Sequence, residues 1–225
     1  RAGQKQEANS QSMIVETKTF EAEWYDGAVD VAIELIRTAE IGIIDLVWQD
    51  LLGVYAKRVE TATVAKVEAG GLGFTYTGTA LDYTGSTPYA DFAAAVAEAA
   101  IEVEDATDEP ATKLGVPDDL WVKLVAATDQ NDRRQFSSGD YSDATAGLTA
   151  SSLRLDGDIE IFRVKGLTQA ILFNEAAFRA HDYGPERVEA VNVAQMGRDL
   201  GVLGRVMWVP RIPAGVVVFG TDPQA

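Results

Sequence analysis

Cysteine is missing altogether from these 225 residues, so no disulfide can staple the fold. That absence fits a product or particle assembled inside a cell. Histidine occurs once, as His181, which rules out any site needing two imidazoles. Basic residues are scarce: 19 lysines and arginines stand against 35 aspartates and glutamates, for a formal charge of −16. Bulk electrostatics therefore oppose nucleic acid and anionic membrane as docking partners. Long apolar runs are lacking too. Stretches such as Gly215 to Phe219 fall far short of the roughly 20 residues that a membrane span needs, and the first residues are too polar for a signal peptide. The composition reads as a soluble globular chain, large enough to bury roughly 70% of its unfolded surface in one large domain or two small ones. Arg1 is not an initiator methionine and the first methionine is Met13, which reads as a cut precursor or a sequence joined partway along.

What is present is dominated by Glu40 to Glu68, which reads as one unbroken helix. Apolar or small residues recur in steps of three and four at Ile41, Ile44, Val47, Leu51, Val54, Ala62 and Ala65, with Arg58 the one charged member of the stripe. Proline is absent from it. Gly53 lies inside at a cost of about 1 kcal/mol relative to alanine and invites the close approach of a neighbour. At 1.5 Å per residue the helix spans about 43 Å, far longer than an average helix. A helix of that length predicts a strut against which flatter elements are laid.

Around it the chain alternates between strand and helix signals. Residues 1 to 12 are polar and aperiodic and read as a loop or extended arm. Met13 to Trp24 predict a long strand, exposed or paired with another chain and broken by Asp26 and Gly27. Val29 to Thr38 predict a short helix capped by Asp26 or Asp30. The long helix is expected to stop at Ala69-Gly70-Gly71. Leu72 to Pro88 read as loop or short strand. Thr87 and Pro88 open a helix with Phe92, Val96, Ala99, Ala100 and Val103 inward, ending between Glu104 and Pro110. Lys113 to Val116 read as a short strand. Pro117-Asp118-Asp119 start a helix with Leu120, Trp121, Leu124 and Val125 inward. Asp129 to Leu148 read as an exposed loop. Ser152 to Val164 form a hairpin about Asp156-Gly157-Asp158. Thr168 to Phe173 are strand and Phe173 to Ala180 a short helix. Glu186 to Gln195, Leu203 to Val209 and Gly215 to Phe219 are strands, Pro210 and Pro213 confining the last pair to edges or turn-separated positions. No internal repeat is visible.

Residues that could carry chemistry do not assemble into a motif. His181 beside Asp182 has the make-up of a general base, yet no serine or second ligand sits at a motif spacing, and it reads as a turn histidine. Glu102, Glu104, Asp105, Asp108 and Glu109 lack the ligand spacing of a calcium loop and read as a solvated face. Gly70-Gly71-Leu72-Gly73 follows a helix where a phosphate-binding loop follows a strand. Arg133-Arg134 suit a contact with an anion or a neighbouring chain, or simple solvation. Trp24, Trp48, Trp121 and Trp208 read as core or interface anchors. No catalytic, cofactor-binding or metal-binding residue is assigned, and no cofactor is expected.

The order of elements carries more. Ala2-Gly3-Gln4-Lys5-Gln6-Glu7, the strand Ile14 to Trp24, the short helix Ala28 to Thr38 and the unbroken Glu40 to Glu68 run in succession. Trp121-Val122-Lys123-Leu124 then leads into Asp129-Gln130-Asn131-Asp132-Arg133-Arg134-Gln135-Phe136, and Ala170-Ile171-Leu172-Phe173-Asn174 and Val188 to Phe219 close the chain. In this order the chain resembles the major capsid proteins of tailed bacteriophages, whose fold is shared with encapsulins and the floor of herpesvirus capsids. The resemblance implies an α+β fold. Residues 1–18 would be the remnant of an extended loop, 19–73 the first part of a peripheral domain with its spine helix at 40–68, 74–167 an inserted axial domain, and 168–225 the rest of the peripheral domain. The family's amino-terminal arm and most of its extended loop have no counterpart upstream of Arg1, and Lys5 is a poor substitute for the lysine of its crosslink. The implied role is that of a non-enzymatic shell subunit, forming hexamers and pentamers of a DNA-filled icosahedral head in a virion assembled in the bacterial cytoplasm. Scaffold, portal or decoration proteins are the implied partners, with no specific nucleic-acid recognition and no membrane. An encapsulin-type compartment and a soluble ligand-binding or enzyme domain are the alternatives.

Overall fold

The computed structural model describes residues 19–38, 42–84, 87–128, 135–136, 152–155, 159–193 and 196–224. Its organising element is helix α2, Ile43–Glu68, 26 residues long and so about 39 Å from end to end. Residues 39–41 lie outside the described residues, so the expected start at Glu40 is not described. The helix closes at Ala69, whose N–H donates to the Ala65 carbonyl, and the chain leaves through Gly70 and Gly71 at φ 71° and 75°. Those left-handed angles are the ones glycine adopts without strain. The Gln224 side-chain amide donates to the freed Ala69 carbonyl at 3.1 Å, tying the last residues to the helix end.

The amino-terminal half of α2 packs on a four-stranded antiparallel sheet. Its central strand is β9, Gly197–Pro210, with β1, Glu23–Ala32, along one side and β7, Phe178–Asp182, and β8, Glu186–Asn192, in tandem along the other. Alternation sets the faces. Leu200, Val202, Val206 and Trp208 of β9 are buried, and Leu200 and Val202 meet Val31, Trp48, Leu51 and Tyr55 in one apolar cluster. The buried seam of α2 therefore follows Trp48, Leu51 and Tyr55, while Val54, Arg58 and Ala65 of the expected stripe are exposed. Apolar residues occur all round the first turns of α2, so periodicity leaves its rotational phase open. The packing decides it: Tyr55 fills the space above Gly204 of β9, and Trp48 and Leu51 join Leu200 and Val202 in the core. Gly53 has no atom within 4 Å of the place a Cβ would take, so the expected close neighbour is not there within the chain.

A second sheet of six strands runs β2-β10-β6-β3-β5-β4. These are Thr75–Tyr76, Val216–Phe219, Ala170–Phe173, Lys113–Val116, Ile159–Arg163 and Ser152–Leu155. One face is covered by α3, Pro88–Thr107, and α4, Asp118–Ala126. Here Phe92, Val96, Val103, Leu120 and Leu124 bury against Leu114, Ile161, Leu172 and Val217. The opposite face presents Ile171, Val216 and Val218, which pack with Phe74 and Leu167 against Val64 and Val67 near the end of α2. One helix thus belongs to the cores of both sheets. A six-residue helix α1, Ile33–Thr38, and a 3-10 turn, Pro213–Gly215, complete the regular elements.

Several expectations are corrected by these pairings. Asp26 and Gly27 do not break a strand. β1 runs through both, because β9 offers an uninterrupted ladder from Glu23 opposite Val206 to Ala32 opposite Gly197. The expected short helix from Val29 shrinks to α1, and Met13 to Lys18 lie outside the described residues. Phe173 to Ala180 is not a helix either. Asn174, 5% exposed, holds a turn by accepting from the Ala176 N–H at 2.7 Å and donating to the Pro110 carbonyl at 2.8 Å, and the chain then joins β9 as β7. Of the two placements expected for the last pair, the turn-separated one holds, since β9 is central in its sheet and β10 lies between β2 and β6. Pro210 is the last residue of β9 and Pro213 sits in the connecting turn, so neither removes a ladder donor from within a strand. β6 and β10 pair with β3 and β2, so the six-stranded sheet takes strands from both sides of residue 168. Most of the expected exposed loop at 129–148 lies outside the described residues. Phe136 is described within it and is 3% exposed, wedged among Tyr83, Tyr89 and Phe92.

Candidate functional site

Strand alternation separates the one pair that sequence offered for acid–base chemistry. His181 lies in β7, not in a turn, opposite Met207, whereas Asp182 lies opposite Val206 on the face turned toward α2. There the Tyr55 hydroxyl donates to the Asp182 carboxylate at 2.7 Å. Burial first, and that carboxylate second, push the Tyr55 hydroxyl well above the ordinary tyrosine range. His181 instead stacks on Tyr183, ring centroids 6.4 Å apart. The contact between Tyr55 and Asp182 is a clasp between spine and sheet, with no proton acceptor poised over a cavity.

The remaining candidates behave as surface or as filler. Glu102, Glu104, Asp105, Asp108 and Glu109 are all exposed, and among the described residues no group of three or more acidic or histidine side chains converges as a metal site would. The glycines at 70, 71 and 73 have positive φ, and the space beside them is filled by Pro213, Pro223 and Gln224 of the same chain. Arg133-Arg134 lie outside the described residues. Trp48 and Trp208 are core anchors at 6% exposure each. Trp121 is half-buried, and Trp24 stands 59% exposed. A cavity of about 420 Å³ opens between the end of α2 and the six-stranded sheet, lined by side chains such as Val64, Val67, Phe74 and Phe178. Its rim arginine, Arg163, is already held by Asp118 at 2.6 Å, so this cavity offers an apolar wall and no catalytic pair.

What the molecule does present is open β-structure. The face of the four-stranded sheet turned away from α2 carries Trp24, Ala28, Val188, Leu203 and Met207, and no helix covers it among the described residues. Arg205 lies 4.7 Å above the Trp24 ring, a cation–π contact between directly paired residues of β1 and β9. β1 pairs only with β9 among the described residues, leaving a ten-residue edge of backbone donors and acceptors. Monomeric proteins usually blunt or cover such an edge. At its start Glu23 pairs with Lys66 of α2 at 2.5 Å. That ammonium first, with the Tyr25 hydroxyl second, holds the Glu23 carboxyl below its usual range. Tyr25 is pushed up to about 12, chiefly by burial. The exposed Trp24 and its mixed-face neighbours were the only sequence signal for this surface.

No family model and no curated protein matches the sequence. Solved structures do match it in fold. A chain from Gordonia phage Cozz aligns with 96% of this chain and 78% of its own at 17% identity and a TM-score of 0.57. The capsid of the native GTA particle aligns with 96% of this chain and 81% of its own at 12% identity and a TM-score of 0.63. The virus-like particle from Pyrococcus furiosus aligns with 92% and 80% at 11% identity and a TM-score of 0.59. The chain has this phage-capsid-like α+β fold over nearly its whole length.

Proposed function

We propose that this chain is a structural shell subunit, the major capsid protein of a tailed bacteriophage or prophage, many copies of which tile an icosahedral head around DNA. The observation that carries the reading is the fold shared with the GTA capsid over 96% of the chain. The sheet face and the β1 edge, both open among the described residues, support it, as do the scattered candidate catalytic residues. In this reading the four-stranded sheet and the spine helix form the peripheral domain, and the bulk of 74–167 forms the axial domain, with β6 and β10 inserted into its sheet. Hexamers and pentamers are the building units, scaffold, portal or decoration proteins the partners, and the virion the destination after assembly in the bacterial cytoplasm. Shape and many weak contacts do the work, with no bond made or broken. An acidic wall suits a container of DNA, since like charge keeps the contents from adhering. Electron microscopy of the full-length product is expected to show closed shells or capsomers. A product that stays monodisperse and monomeric at high concentration, with its partners present, overturns the reading.

A further inference from the structure

On the face of the six-stranded sheet turned away from α3, a polar cavity of about 600 Å³ is lined by Arg154, Arg179 and Arg211 together with Lys113, Glu160 and Glu175. Lys113 is committed to Glu160, with which it forms a close ion pair, and to Glu175 at 3.5 Å. The three arginines are exposed, and none forms an ion pair or side-chain hydrogen bond with another described residue. With Glu109 at the rim, four bases meet three carboxylates, so this wall is net positive in a chain of charge −16.

The outer side of α3, across the sheet from Lys113, Arg154 and Glu160, carries the complement. Helix α3 contains no lysine or arginine. Its solvent face bears Glu98, Glu102 and Asp105 at helical spacing, all exposed and unpaired among the described residues, around Ile101 at 59% exposure. Buried Phe92, Val96 and Val103 pin α3 to the far face of the sheet, so its acids cannot turn into the arginine cavity of their own chain. Two complementary patches on opposite faces of one sheet can satisfy each other only between copies, head to tail, and such contacts close into rings or run on.

We propose that the cavity of Arg154, Arg179 and Arg211 receives the acidic outer face of α3 from a second copy of this chain. The proposal rests on the shell reading and names one of its contacts. Guanidinium forks match carboxylates in two-point geometry, which sets register as well as attraction. Ile101 supplies an apolar centre that excludes water from the pairs. Single exposed pairs contribute little, so the contact draws its strength from three together, repeated in every subunit. Nucleic acid is the less favoured occupant. The cavity's own carboxylates would face its phosphates, and the chain's total charge repels it.

The test is a charge swap in the full chain, read by sedimentation and electron microscopy, with circular dichroism to confirm the fold. Replacing the arginines (Arg154→Glu, Arg179→Glu, Arg211→Glu) is expected to raise the concentration needed for assembly at least tenfold. Reversing the helix face (Glu98→Arg, Glu102→Arg, Asp105→Arg) is expected to do the same. Combining all six substitutions is expected to restore assembly to within about threefold of the native chain, because the pairs are re-formed with signs exchanged. Glutamine in place of the three arginines is expected to give a milder loss, and the gap to the native chain is expected to narrow as salt screens the native pairs. Native shells left unchanged by either triple substitution overturn the contact alone, as does a six-fold variant no better than its parents. A native chain that never assembles overturns the shell reading and this contact with it. Arginine variants that assemble normally but lose binding to a duplex DNA probe assign the cavity to nucleic acid instead.

Discussion

At the scale of single residues the most constrained point is Gly204, where a Cβ would lie 2.2 Å from the Tyr55 hydroxyl oxygen and 2.5 Å from its ring. The glycine is there to let the tyrosine lie on the sheet and reach Asp182. Gly204→Ala is therefore expected to cost about 1–3 kcal/mol, the usual range for overpacking a filled site. In a Tyr55→Ala background the same change is expected to cost less than about 0.5 kcal/mol, because the clashing ring is gone and the two effects are coupled. Urea denaturation of the four variants in the cycle measures this, and equal costs in both backgrounds would show that something other than the ring resists the methyl. Neither partner was legible beforehand. Tyr55 lay off the expected stripe, and a glycine inside a strand signals close approach without saying of what.

Elements tell a more even story. Helices α3 and α4, strand β3, the pair β4 and β5, and strand β10 lie close to where periodicity and turn chemistry put them. Each has local signals that agree: Pro88 at the first position of α3, alternating Leu153, Leu155 and Ile161 about an Asp-Gly turn. β1 and β7 were misread because their strand character comes from a partner. Asp26-Gly27 is a turn signal until a 14-residue strand lies beside it, and Phe178–Asp182 is short enough to be either helix or strand. Within α2, Gly53 is exposed and has empty space where a Cβ would go. Gly53→Ala is expected to stabilise the chain by about 1 kcal/mol, a rise of roughly 2–4 °C in melting temperature for a domain of this size. Differential scanning calorimetry on the unassembled subunit checks it, and an unchanged or lowered temperature would show that the helix is bent or covered at that turn.

For the whole molecule the decisive fact is that α2 is buried at one end among Val31, Leu200 and Val202 and at the other among Phe74, Ile171 and Val216. Neither sheet keeps its core if the helix leaves. Denaturant unfolding of the subunit is accordingly expected to be one transition, with tryptophan fluorescence and far-UV circular dichroism sharing a midpoint. Two separated midpoints would mean that the lobes melt independently and that α2 is a tether between them. Sequence alone settled the quantities that depend on composition and short-range pattern. These were a cysteine-free acidic chain, one dominant helix ended by paired glycines, and its following helices with their inward faces. Only the tertiary structure decided which side of α2 is inside, that β1 and β7 are strands, and that β6 and β10 cross into the sheet of the middle segment. Those outcomes depend on pairings between residues far apart in the chain, such as Ala32 with Gly197 and Leu114 with Leu172. Hydrogen bonds and burial won across that distance outweigh local preferences of a few tenths of a kcal/mol to about 1 kcal/mol per residue, so no window of neighbouring residues contains the information.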